Sequence, residues 1–330
     1  MLKEEQIRPS VLFNKYLQLA KLDAENFKGE RKESDCCLVC GSSRIDIVFS
    51  KNSFQYTECE ACGSFMCNPR PNKEDIARLY ANSESSRFWA EEFYPSVIES
   101  RRSLTIRPKV RELISMLTAH KIEPNSIIDV GSGHGVFAEE LVQELDIERM
   151  ICIEPSEVMS AELRKKGFEV IEKEVEEICG LQADLAICLE VFEHCINPCS
   201  FIKACSGCIP IGGHFFFTTL LGDGLDISVL RESSNAVFPP FHLNFATKQG
   251  LYILCEQNGL RVVELSTPGK LDVELLLKGI EERTTCRRTA SQLSRLREIV
   301  DDTGLAALVQ EKVVELNMSS HASVLCERID

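Results

Sequence analysis

Positive charge is what this chain is short of. Lys and Arg number 37 against 51 Asp and Glu, a formal net charge of −14 at pH 7 over 330 residues. So acidic a chain repels phosphate backbones, which argues against nucleic acid as the default partner. Long apolar runs are missing too. The best stretch, residues 209–221, contains Gly212, Gly213 and His214 and is too short to span a bilayer, so no membrane role is expected. The first 27 residues are too charged for a secretory signal. What the chain does have is cysteine, sixteen in all. In an acidic, unsecreted chain they point to free thiols and metal ligands in a reducing, cytoplasmic compartment, not to a disulfide frame. A hydrophobic content of 44% is ample for a packed core.

The chain is organised around residues 127–135, Ile-Ile-Asp-Val-Gly-Ser-Gly-His-Gly. Ile127 and Ile128 lead into Asp129 and Val130. Gly131, Gly133 and Gly135 then alternate with Ser132 and His134, and Val136, Phe137, Leu141 and Val142 recur at helical spacing. The pattern predicts strand, tight turn and helix. Such a turn lets a ligand approach the main chain at the carboxyl end of a strand. A dinucleotide fingerprint would have a third glycine or alanine where this chain has Val136. The acid followed by GxGxG instead resembles motif I of the class I S-adenosylmethionine-dependent methyltransferases. The resemblance implies that Gly131, Ser132, Gly133 and Gly135 bend around the methionine part of the cofactor and that Asp129 positions it. A turn that merely joins a strand to a helix is the plain alternative.

From Ser126 onward strands and helices alternate, so the expected fold is α/β with a parallel, doubly wound sheet. The expected strands are 126–130, 150–153, 168–171, 184–189, 211–219, 260–266 and 322–328. The family places the seventh antiparallel, between the fifth and sixth. Glu154, followed by Pro155, stands about 20 positions past the glycine turn, where an acid can accept from both ribose hydroxyls. The resemblance puts an acid for the adenine amino group at Glu174, with Glu172, Glu176 and Glu177 as neighbouring registers. Glu190-Val-Phe-Glu193-His194, then Asn197-Pro198, resembles the segment after strand four in the ubiquinone-biosynthesis-like branch. It implies that Glu190 or the backbone beside it lines the cofactor and that His194 faces the substrate, although a helix-start histidine held for structure fits as well. Residues 239–247 resemble the family's H-x-N-F-T element, which edges the substrate pocket. His242 is therefore the leading candidate for a general base. Ordering its own loop is the other role open to it.

Two CxxCG knuckles, Cys37–Gly41 and Cys59–Gly63, precede this core. Cys37, Cys40, Cys59 and Cys62 match a closed tetrahedral zinc site, structural rather than catalytic, with Cys36 a possible substitute for Cys37. Cys195, Cys199, Cys205 and Cys208 are spaced for a buried helix face rather than a second metal. The expected organisation is a solvated helical arm over 1–34, a zinc ribbon over 35–72 and a helical lead-in or lid over 73–125. A cofactor-binding domain follows over 126–330, with a helical insertion over 270–318. Within the lead-in, Trp89, Phe93 and Tyr94 form an aromatic cluster, either core or lid. Ribbon plus core resembles the sugar-nucleotide C-methyltransferases, but the chain is too short for their second α/β domain. The resemblance implies methyl transfer from S-adenosylmethionine to a small-molecule acceptor, a sugar among the candidates, by O-, N- or C-methylation. An RNA methyltransferase gripping its substrate with the ribbon, using Arg283, Arg287 and Arg288, and a non-catalytic cofactor-binding module are the competing readings. Oligomeric state is not addressed by the sequence.

Overall fold

The computed structural model of the protein describes residues 2–283, 295 and 304–330. Arg287, Arg288 and nearly all of residues 284–303 of the expected helical insertion lie outside the described residues. Seven strands form the central sheet: β1 Ser126–Val130, β2 Arg149–Ile153, β3 Glu169–Ile171, β4 Leu185–Leu189, β5 His214–Leu220, β6 Leu260–Ser266 and β7 His321–Arg328. Their order is β6-β7-β5-β4-β1-β2-β3. Neighbours among β1 to β5 run parallel, and β7 is antiparallel to both β5 and β6. The expected start of the fifth strand shifts: residues 211–213 form a turn, with Gly212 at φ +82°, and the strand begins at His214.

Both faces of the sheet are covered, which is why its strands are apolar at successive positions. Ile127, Leu185, Ile187 and Phe216 pack on Leu113, Leu117 and Leu141. Ile128, Ala186, Cys188, Phe215 and Phe217 pack on Phe201, Cys205 and Leu254 on the other side. Cys205 and Cys208 are core residues, as their spacing predicts, whereas Cys199 is exposed. Strand order reverses between β1 and β4, and the crevice at such a switch point is where doubly wound sheets bind ligands.

The lead-in is one long helical run from Glu84 to His120 broken by two wide turns, Trp89–Phe93 and Arg102–Ile106. In each, a backbone N–H reaches five residues back, Tyr94 to Trp89 and Arg107 to Arg102. The next residue in each case is proline, Pro95 and Pro108, which has no N–H to continue the regular ladder. Each wide turn rotates the segment that follows. Tyr94, Arg101 and Lys109 come to face one cavity as a result.

The N-terminal arm is docked rather than solvated. Helix Ser10–Glu25 buries Phe13, Ala20 and Ala24. Phe13 packs with Phe88, Phe93 and Val97, and Ala20 with Phe238 and Phe241. Its polar average hid an apolar stripe at helical spacing.

The cysteine-bearing module is a four-stranded antiparallel sheet. Ile45–Lys51 and Phe54–Cys59 form a hairpin turning at Asn52 and Ser53, both at positive φ. Phe65–Cys67 follows, and Asn244–Phe245 adds the edge strand. A segment that follows β5 is thus held by the module's backbone.

Candidate active site

One cavity of about 1920 Å³ runs along the carboxyl edge of the sheet and under the helical run. Its floor is the glycine turn. Gly131 sits at φ +72°, and a Cβ there would meet Val191 Cγ2 at 2.5 Å. Gly133 sits at φ +54° with nothing within 4 Å of where a Cβ would be, so its backbone is open to a ligand. The Gly133 N–H donates to Glu154 Oε2 at 2.8 Å and the Ser156 N–H to Glu154 Oε1 at 2.9 Å. Glu154 is buried, which pushes its pKa up. Asp129, 2% exposed, is pushed up to about 7 by burial, with the Ser132 hydroxyl working the other way. Pro155 lines the same cavity. Glu174 stands at the rim, where Lys73 Nζ meets its carboxylate at 2.7 Å.

Glu190 directly follows β4 in a left-handed backbone conformation, φ +56°. Its carboxylate takes Lys109 Nζ at 2.7 Å, His321 Nε2 at 2.9 Å and the Thr218 hydroxyl at 2.5 Å. Burial opposes ionisation, but the His321 and Lys109 charges hold Glu190 well below the usual carboxylate range. Sequence reading missed Lys109 and His321 as partners of Glu190. Lys109 is aimed here by the wide turn before it. His321 had a readable signal, because an antiparallel β7 must begin at the carboxyl edge of its parallel neighbours.

His194 and His242 come together from separate segments, their rings edge-on at 4.6 Å. His194 Nδ1 lies 2.8 Å from the Tyr80 hydroxyl. His242 Nδ1 lies 2.6 Å from the Ala236 carbonyl oxygen, so that nitrogen carries the proton and Nε2 keeps its lone pair. Burial lowers His194 to about 3 and His242 to about 4, so both rings are neutral at pH 7. Glu193, 1% exposed, accepts from the Thr219 hydroxyl at 3.0 Å and is pushed up to about 8 by burial and by Glu190. Ligand atoms of Glu193, His194 and His242 all lie within 4.8 Å of one another, close enough to hold one cation.

A buried arginine ties these segments together. Arg70 Nη1 donates to the carbonyls of Cys195 and Ile196 at 3.2 and 2.8 Å, and Nη2 to Asn244 Oδ1 at 2.7 Å. Asn244 Nδ2 in turn donates to the carbonyls of Phe192 and Cys195 at 3.1 and 2.8 Å. Tyr56, from the cysteine module, donates to the His242 carbonyl at 2.7 Å. Above the glycine turn, Tyr94 stacks on His134 with ring centroids 4.7 Å apart. Phe93 is core, whereas Trp89 and Tyr94 face the cavity.

The four module cysteines converge in the same way. Cys37 Sγ lies 3.8 Å from Cys62 Sγ and Cys40 Sγ 3.5 Å from Cys59 Sγ, with all four sulfurs within 4.8 Å of one another. Four sulfurs about 2.3 Å from a central tetrahedral ion stand roughly 3.8 Å apart, so the spacing suits one metal ion. Cys36 is directed elsewhere, toward Ser34.

A doubly wound sheet with an antiparallel seventh strand, a GxGxG turn at its switch point and an acid ending the second strand is the architecture of a class I S-adenosylmethionine-dependent methyltransferase. The chain belongs to the methyltransferase domain family, whose model matches residues 100–265. Among curated relatives, the ubiquinone biosynthesis O-methyltransferase of Vibrio vulnificus (strain YJ016) is 32% identical over 105 residues, 28% of this chain and 43% of the relative. The enzyme of the same name from Salmonella newport (strain SL254) is 33% identical over 109 residues, 30% of this chain and 43% of the relative. The match therefore spans less than half of these relatives' length. Among solved structures, a putative sarcosine dimethylglycine methyltransferase from Galdieria sulphuraria has a TM-score of 0.46 at 14% identity, covering 70% of this chain and 87% of that one.

Proposed function

We propose that the protein transfers the methyl group of S-adenosylmethionine to a hydroxyl of a small-molecule acceptor. The observation that carries this is that one cavity joins the glycine turn and Glu154 to the His194–His242 pair. In this reading the methionine part of the donor lies along Gly131, Ser132, Gly133 and Gly135, with Asp129 behind the turn. Glu154 uses its remaining lone pairs for the ribose hydroxyls, and Pro155 flanks the sugar. Glu174, which shares its carboxylate with Lys73, sits on the adenine side. Glu190 is held ionised near the donor, where negative charge favours a sulfonium.

The acceptor oxygen attacks the methyl carbon in line with the carbon–sulfur bond. The new O–C bond forms as the C–S bond breaks, and S-adenosylhomocysteine leaves. Alignment supplies most of the rate. The acceptor proton passes to His242 Nε2, which is neutral and unengaged by the loop's own hydrogen bonds. Tyr80 and His194 line the same wall and fix the acceptor's approach. Phe238, Phe241, Tyr16 and Trp89 make that wall aromatic, which suits an apolar body better than a sugar.

A second reading rests on the convergence of Glu193, His194 and His242. A divalent cation held there would keep an acceptor hydroxyl ionised, and it would remove the burden from a histidine whose pKa is low. The cysteine module is then a zinc ribbon, with Cys37, Cys40, Cys59 and Cys62 as ligands, and it is structural in either case. The test is a screen of hydroxylated small molecules with labelled S-adenosylmethionine, with and without magnesium, alongside His242→Ala. A His242→Ala variant as active as the parent removes His242 from the chemistry. Absence of calorimetric heat with S-adenosylhomocysteine removes the donor site altogether. Salt-sensitive retention of RNA together with methylation of it would favour the RNA reading instead.

A further inference from the structure

Two arginines in the cavity wall have no counter-ion among the described residues. Arg8 and Arg101 both line the cavity, and neither makes an ion pair among the described residues. Arg8 Nε and Arg101 Nε and Nη1 are shut off from solvent and meet no hydrogen-bond partner. Each guanidinium lies instead over aromatic rings, Arg8 over Phe13 at 5.4 Å and Arg101 over Tyr94 at 5.6 Å and Trp89 at 6.0 Å.

Two nearby acids already have other basic partners. Glu4, one turn before Arg8, pairs with Lys278 at 2.8 Å. Glu190, whose charge reaches Arg101, is held by Lys109 and His321. The two arginines also feel each other: burial first, and then the Arg8 charge, lowers the pKa of Arg101. Arg8 acts on His242 in the same sense. The pair therefore stands along one aromatic wall of the cavity: Arg8 lies over Phe13 and Arg101 over Trp89, and both rings stand against Phe93, at centroid distances of 6.1 and 4.5 Å. Buried charges of this kind are expected to be paired, and a guanidinium is shaped for the two oxygens of a carboxylate or phosphate.

We propose that Arg8 and Arg101 form an anion-binding pair that selects an acceptor carrying a carboxylate or a phosphate on an apolar body. This rests on the methyl-transfer reading above. The aromatic faces take the body, the arginines take the anion, and the hydroxyl is left facing His242. The helix Ser10–Glu25 and the helical run thus read the acceptor, while the sheet edge reads the donor.

Trp89 is the only tryptophan in the chain and lies beside Arg101, so its fluorescence reports occupancy directly. The full-length protein is titrated with 4-phenylbutyrate, 3-phenylpropyl phosphate and the neutral 4-phenylbutyramide, and separately with S-adenosylhomocysteine by calorimetry. At least one anion binds about tenfold or more tightly than the amide, and which one does so tells carboxylate from phosphate. In Arg8→Gln/Arg101→Gln the preference falls to within about twofold while S-adenosylhomocysteine affinity holds; Arg101→Lys, which keeps the charge, keeps part of the preference. Equal binding of amide and anions by the parent, or no quenching by any probe, overturns the proposal without any variant. Loss of S-adenosylhomocysteine affinity in the variants, with the anion preference intact, also overturns it, because the arginines would then serve the donor's own carboxylate. A parent that shows the anion preference yet binds no S-adenosylhomocysteine would sink the methyl-transfer reading and leave the anion pair standing.

Discussion

Asn244→Ala should separate the two halves of the site. Asn244 is fully buried, and its side-chain hydrogen bonds to Arg70, Phe192 and Cys195 tie the His194 turn to the His242 loop. Removing the amide leaves the carbonyls of Phe192 and Cys195 without that donor and Arg70 Nη2 without its 2.7 Å acceptor. The Cys195 carbonyl keeps a bond from Arg70 Nη1, so its loss is partial. At roughly 1 kcal/mol for a neutral bond and 1.5–3 for the charged one, the destabilisation is about 3–4 kcal/mol. For a chain this large that corresponds to a fall in Tm of roughly 4–6 °C, read by calorimetry. The donor side stands on β1 and β2 and shares none of these bonds, so S-adenosylhomocysteine affinity should be unchanged. The two histidines lose their mutual tie, and a misplacement of about 1 Å lowers turnover on the order of a hundredfold. A variant with the parent's Tm and the parent's turnover would refute the idea that this staple sets the histidine pair.

On the proposed donor site, the raised pKa of Asp129 should make donor binding pH-dependent. A sulfonium favours the carboxylate, so affinity should rise with pH up to about 7 and level off above it, and Asp129→Asn should flatten the profile; calorimetry from pH 5.5 to 8.5 reads it. In the donor-free protein the sign is opposite. With folded values of about 7 for Asp129 and about 8 for Glu193, the native state holds protons that the unfolded chain sheds near pH 4, so their contribution to stability declines from about pH 4 to 8. Denaturant midpoints that rise across pH 6 to 8 would contradict it. Lys109→Met removes the cation nearest a partly exposed Glu190; a loss of about 1–2 kcal/mol is expected, with weaker donor binding, by chemical denaturation and calorimetry. Cys59→Ser should reduce bound zinc from one per chain to none by elemental analysis, and it should lower turnover more than S-adenosylhomocysteine affinity, since the module touches the His242 loop and not the glycine turn.

The fold was legible where burial is two-sided and local pattern suffices. Ile127 and Ile128, Leu185 to Leu189, and Val324 to Cys326 are apolar because both faces are covered, and the glycine turn follows from backbone conformations that side chains disfavour. The helix Ser10–Glu25 was misjudged because polar residues outnumber its stripe of Phe13, Ala20 and Ala24. Lys109, Tyr94 and Arg101 were illegible for a different reason. Their facing depends on two wide helical turns, and a regular 3.6-residue pattern carried through Pro95 and Pro108 points them elsewhere. The pairing of His194 with His242 is a tertiary fact, separated by 48 positions in the chain and set by Arg70, which no local pattern announces.

The division of labour follows from which groups are held by the sheet and which are not. Gly133 and Glu154 are fixed by neighbouring parallel strands, whose pairing is continuous from β1 to β3. His242 sits on a loop that no central strand holds. It is fixed by the edge strand Asn244–Phe245 pairing with Phe65–Cys67, by Tyr56 on its carbonyl and by Arg70 through Asn244, all groups of the cysteine module or of the segment just after it. On the zinc-ribbon reading proposed above, closed coordination by four cysteines leaves the module no position for chemistry of its own. Its consequence for chemistry is therefore geometric. It supplies the rigidity that a loop outside the sheet lacks, and it does so on the acceptor side alone. Donor affinity and acceptor turnover should then respond to different substitutions, because the backbone hydrogen bonds that fix the two halves do not overlap.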